Sequence, residues 1–139
     1  MANIGFTGTQ VGLTTKQKEV LTGLFDTAHN IYPSVLHHGC CIGADAEAHK
    51  IADTIGMWIV LHPPTNKGKV AALIGNDTRP AKEYLARNRD IVDESEYLIA
   101  CPGTMHEELR SGTWSTVRYA RKKNKQITII YPNGSVGTK

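Results

Sequence analysis

The chain has 139 residues, 40% hydrophobic and 21% charged, with a formal net charge of +3. That balance excludes a disordered chain and a dedicated DNA-coating protein, and no apolar run nears the roughly 18–20 residues of a membrane span. MANIGFTGTQ has neither the basic start nor the apolar segment of a signal peptide, and the three cysteines, two of them adjacent, form no disulfide framework, so a reduced, cytoplasmic, single-domain protein is expected.

In chain order, ANIGFT (2–7) predicts a first strand. The loop TGTQVG follows, with Gly8 and Gly12 allowing close backbone approach and Thr7, Thr9 and Gln10 offering donors ahead of a helix. Phosphate binds readily at such a place, because a helix start presents unpaired N–H groups and a positive dipole end. The glycine spacing is not the G-x-G-x-x-G of dinucleotide dehydrogenases, and a plain strand-to-helix turn reads equally from it. Thr14 and Gln17 have the form of a capping box, and Val20, Leu21, Leu24, Phe25 and Ala28 give the helix they open an apolar stripe.

SVLHH (34–38) predicts a second strand, and Gly39 and Gly43 flank the turn into a second helix that Gly56 closes. Asp45 sits in that helix's first turn, where it suits either the dipole or a ribose hydroxyl, with His49 one turn on. His37, His38, Cys40 and Cys41 lack the spacing of a zinc site, and adjacent strand residues point to opposite faces, so no metal is expected. MWIVLH (57–62) predicts a third strand and residues 63–79 a long loop. A helix is expected from Pro80 to about Asp93, then strands at 96–101 and 126–131 around a helix at 113–124. Lys67, Lys69 and Arg89 read as solvated, and the cations of RYARKKNK suit a helix C-terminus. Residues 1–132 form the expected domain and 133–139 a frayed tail. Strands alternating with helices imply an α/β, Rossmann-like, doubly wound sheet of five or more mainly parallel strands, with ligands beyond the strands' carboxyl ends.

GFTGTQ, HHGCCIGADAEAH, LARNRDIVDESEYLIACPG and SGTWSTVRYAR stand in the order found in the SLOG superfamily. Over nearly its whole length the chain resembles the nucleotide-binding domain of Lonely Guy-type phosphoribohydrolases and DNA-processing protein A. The hydrolases carry an arginine upstream of Pro-Gly-Gly-x-Gly-Thr-x-x-Glu, and the resemblance puts Arg87 at that arginine. If Gly112-Thr113 is the motif's Gly-Thr, the glutamate position holds Thr116; if Gly103-Thr104 is, Glu107 fits, but a glycine pair is missing. The first alignment is preferred, because a helix and the last strand follow it at once. Threonine poorly replaces the carboxylate needed to stabilise a ribosyl cation.

The resemblance thus implies a binding protein without turnover, holding a nucleotide-derived small molecule for sensing or for sequestration of a signalling nucleotide, as viral counter-defence would use it. Its expected ligand residues are Thr7, Gly8, Thr9, Gln10, Gly39, Gly43, Asp45, Arg87, Gly112, Thr113, Trp114 and Ser115. Trp114 either stacks a base or belongs to the core or an interface. The alternative is a phosphoribohydrolase using Arg87 and Glu107, and single-stranded DNA binding ranks third. No cofactor is called for, nucleic acid and membrane are disfavoured as partners, and relatives commonly pair, which implies a homodimer or higher homo-oligomer.

Overall fold

The computed structural model describes residues 1–138, and Lys139 lies outside the described residues. Seven strands form one sheet in the order β4-β3-β2-β1-β5-β6-β7. β1 (Ala2–Gly8), β2 (Ser34–His38), β3 (Trp58–Leu61), β4 (Asp77–Thr78), β5 (Tyr97–Cys101) and β6 (Gln126–Ile130) run parallel, and β7 (Val136–Thr138) is antiparallel to β6. Chain order moves outward from β1 to β4, then returns to the other side of β1 with β5. The two crossovers diverge there, and the carboxyl ends of β1 and β5 are left open between them.

Four helices cover the sheet: α1 (Thr15–Ile31), α2 (Ala44–Ile55), α3 (Tyr84–Asp93) and α4 (Gly112–Lys122). Strand alternation sorts the apolar residues into two layers. Ile4, Phe6, Leu36, Ile59 and Ile99 face α1 and α2, meeting Leu21, Phe25, Ala44, Ala48 and Ala52. Leu98, Ala100, Ile127 and Ile129 face α3 and α4, meeting Val92, Trp114, Val117 and Ala120. Burying Leu21 or Phe25 completely contributes about 1.5–3 kcal/mol each. Leu21, Trp114 and Val117 are thus core residues, with Leu24 packed at the edge of the same layer as Leu21.

The start of α1 and the end of α2 follow the sequence signals closely. Thr14 Oγ1 accepts from Gln17 N at 3.0 Å, while Gln17 Oε1 accepts from Thr14 N at 3.0 Å, completing the capping box. Gly56 closes α2 in the left-handed conformation (φ 93°), its N–H returning to Ala52 and Asp53.

Three expectations are corrected. The 63–79 loop contains a short 3-10 turn at Lys67–Lys69 and the edge strand β4, held by Asn76 N donating to Ile59 O and Arg79 N to Leu61 O, both at 2.8 Å. α3 starts at Tyr84, not Pro80, because residues 80–82 are drawn into pairing with the loop after β3: Thr65 N donates to Lys82 O and Lys82 N to Pro63 O. Residues 133–138 do not fray: Gly134 N donates to Tyr131 O and Tyr131 N to Ser135 O, and the turn brings β7 onto the β6 edge.

Candidate functional site

A cavity of about 660 Å³ lies at the switch point, within the range of small-molecule pockets. Its walls come from the ends of β1, β2 and β5 and from the starts of α2, α3 and α4. Thr7, Gly8, Thr9 and Gln10 form one side after β1. The loop they begin is tied down by Glu47, whose Oε1 accepts from Leu13 N at 2.7 Å and whose Oε2 meets Lys18 Nζ at 2.6 Å. Gly43 packs behind them: with φ 87°, and Gln10 O only 2.2 Å from where a Cβ would lie, only glycine fits. Gly43 therefore shapes the loop rather than lining the cavity.

Arg87 enters from α3 and is 5% exposed. Its Nη1 donates to Gly39 O and, at 3.0 Å, to His62 O; its Nε donates to Asn88 Oδ1 at 2.7 Å. Its Nη2 is 3.7 Å from Cys41 Sγ, and the guanidinium lies 5.0 Å from the centroid of the Tyr84 ring. The arginine is thus locked at the ends of β2 and β3, where it lines the cavity. Gly39 makes this possible, since a Cβ there would sit 2.5 Å from Nη1 and 2.9 Å from Asp45 Oδ2.

Asp45 lines the same wall, its Oδ2 accepting from Cys41 N at 3.3 Å. Burial pushes its carboxyl up to about 6, against the pull of Arg87 and of the Cys41 and Gly39 N–H groups. Burial and the nearby Asp45 charge raise the Cys41 thiol, so it is not an activated nucleophile.

Opposite lies the start of α4. Ser111 Oγ caps Trp114 N at 3.2 Å, and the N–H groups of Gly112 and Thr113, in the first turn, have no intrahelical acceptor. Ser111, Gly112 and Thr113 all line the cavity. Trp114 does not; it is 2% exposed, and its Nε1 donates to Thr104 Oγ1 at 3.2 Å, bracing the loop after β5 from behind. Ser115 faces a separate shallow groove between α3 and α4. Glu107 lies outside the lining, between Arg118 Nη1 at 3.1 Å and Arg121 Nη1 at 2.7 Å. The bonds from Arg121 and Arg118 hold its carboxyl below the usual range. Thr116 is buried, its Oγ1 donating to Gly112 O at 2.9 Å within the helix.

Sequence reasoning missed Gln17, Tyr84 and Glu108, which also line the cavity. Tyr84 stands one helical turn before Arg87, a spacing that marks a shared face. Its buried hydroxyl lies beside the side chains of Cys41 and Gln10. Glu108, adjacent to Glu107, carries no local signal separating the two.

No protein-family model and no curated protein matches the sequence. Solved structures do. The molybdenum cofactor binding protein from the phototrophic bacterium Rippkaea orientalis superposes with a TM-score of 0.72 at 21% identity, over 94% of this chain and 76% of its own. The molybdenum cofactor carrier protein from Chlamydomonas reinhardtii gives 0.63 at 20% identity, over 92% and 75%. DNA processing protein A from Streptococcus pneumoniae gives 0.69 at 17% identity, over 93% of this chain but only 50% of that protein. At these identities the likeness is one of architecture. The chain shares the Rossmann-like fold of these structures, a mostly parallel sheet with helices on both faces, and its crevice lies at the β1/β5 switch point.

Proposed function

We propose that this chain binds a nucleotide-derived, phosphate-bearing small molecule in the switch-point crevice and does not turn it over, acting as a sensor or a sequestering protein. The observation that carries this reading is the position of the acidic groups. Thr116 stands at the preferred glutamate position and bonds within its own helix, and Glu107, the other candidate, is held by two arginines outside the cavity. What does line the cavity suits a phosphate: the Gly112 and Thr113 N–H groups at the α4 dipole end and the locked Arg87. Asp45 suits ribose hydroxyls. The likeness to a cofactor-binding and a cofactor-carrier protein supports small-molecule binding by this chain.

Native mass spectrometry of the purified protein, followed by denaturation and analysis of what is released, tests the reading. A nucleotide recovered near one per chain or per dimer, and lost in Arg87→Ala, is the expected result. Incubation with a panel of nucleoside monophosphates should then yield no free base. Free base formed by the wild type and lost in Glu108→Gln would replace this reading with a phosphoribohydrolase. That second reading is favoured by Glu108 lining the cavity and by an Asp45 carboxyl poised near 6.

A further inference from the structure

We propose that His37, His62 and Glu94 form a binding site for one divalent transition-metal ion of the zinc type, on the α3 side of the sheet and outside the crevice. The donor atoms of the three residues all lie within 4.8 Å of one another, and His37 Nδ1 and His62 Nε2 are 2.9 Å apart. Nitrogen and oxygen donors about 2.0–2.2 Å from a tetrahedral ion stand roughly 3.3–3.6 Å from each other. The present spacings bracket that value, so small side-chain rotations close the set around an ion.

The surroundings supply the outer contacts that metal-ligating groups need. Asn3 Oδ1 lies 2.9 Å from His37 Nε2, and with Asn3 accepting, the ring proton is fixed there and the Nδ1 lone pair faces His62 and Glu94. Arg79 Nε and Nη2 both donate to Glu94 Oε1, at 2.9 and 2.7 Å, and so orient the carboxylate while leaving Oε2 as a donor. Both imidazoles are buried, His37 at 2% and His62 at 1% exposure. That burial sets both ring nitrogens away from competing water. His62 need only carry its proton on Nδ1 for Nε2 to bind, with no change in the ring's charge.

Strand alternation, which forbids His37 and His38 from sharing an ion, sends them to opposite faces: His38 pairs with His49 of α2, whereas His37 meets His62 beyond the end of β3. An ion held there joins β2, the loop after β3 and Glu94, the C-cap of α3. It would also steady the His62 carbonyl that accepts from Arg87, one residue from the crevice wall.

The test is titration of the full chain, dialysed against chelator, with Co²⁺. One equivalent should bind, with the strong visible absorption of a tetrahedral centre, be displaced by Zn²⁺, and raise the Tm by several degrees. Glu94→Ala should weaken binding at least tenfold and His62→Gln should abolish it, while His106→Gln, at an exposed histidine, should leave it unchanged. If His62→Gln does not fold, Glu94→Ala alone decides. Absence of saturable one-to-one binding, binding at full affinity in Glu94→Ala, or loss in His106→Gln would each overturn the proposal.

Discussion

Arg87 and Asp45 occupy the same wall of the crevice, and two substitutions separate what holds them there from what they do. At Gly39 an added Cβ would lie 2.5 Å from Arg87 Nη1 and 2.7 Å from its Cζ. No positive φ constrains that residue, so Gly39→Ala tests space rather than backbone freedom. It should cost about 1–3 kcal/mol of stability as the guanidinium is displaced. Ligand affinity should drop at least tenfold, and retention of both would show that Arg87 can be reseated. Asp45→Asn tests the buried charge. Well below pH 3.8 the carboxyl is protonated in folded and unfolded chains alike, and ionisation adds no penalty. Its folded pKa is raised from 3.8 to about 6, so stability is lost as pH climbs through that window. The loss reaches about 3 kcal/mol above it. In urea denaturation the stability of Asp45→Asn relative to wild type should therefore improve between pH 4 and pH 7.5. A constant difference would mean that the carboxyl is better solvated than its burial indicates.

Among the elements, α1 is registered against the sheet by one side chain. Gln17 is 1% exposed, and its Nε2 donates at 2.9 Å to both Pro102 O and Ile130 O, where β5 and β6 end. The same amide's oxygen completes the α1 capping box. Gln17→Ala should cost about 2–4 kcal/mol, since it strands two buried carbonyls as well as the Thr14 N–H. A loss under 1 kcal/mol in thermal or urea unfolding would show that water replaces the amide. The sequence shows Thr14 and Gln17 as a cap because that interaction is local. It cannot show the carbonyls 85 and 113 residues away that make Gln17 a staple. The same division runs through the fold. SVLHH and QITII read as strands from their apolar runs, and Gly56 as a stop from its place after a helical stripe. β4 is two exposed residues with no pattern, and β7 exists because a turn at 131–135 returns the chain to an open edge. The crevice loops were legible from topology. Which way Glu107, Glu108, Trp114 and Tyr84 turn was not, since that depends on arginines and cores supplied by other elements.

For the molecule as a whole, the buried histidines set how stability responds to acid. His38, His62, His37 and His49 form two neutral pairs on opposite faces of the sheet. Burial lowers all four: His38 to about 3, with the His49 charge adding to it, and His62 to about 4, with His37 adding to it. Neighbouring acids partly oppose this, Glu94 and Asp90 at His62 and Asp53 at His49. Because the folded values lie below the unfolded 6.5, the unfolded chain takes up protons first. The stability is present above pH 6.5 and is lost as pH falls towards 4. Asp45 acts in the opposite sense over part of the same range, by about 3 kcal/mol, but it is one group against four. Net stability from urea unfolding should therefore fall by several kcal/mol between pH 7 and pH 4.5, and the fall should be shallower in His38→Gln, which removes the most depressed ring. A flat profile would show that Asp45 and the neighbouring acids balance the histidines. A profile rising towards acid would mean that relief of the buried Asp45 charge outweighs the cost of protonating the four rings.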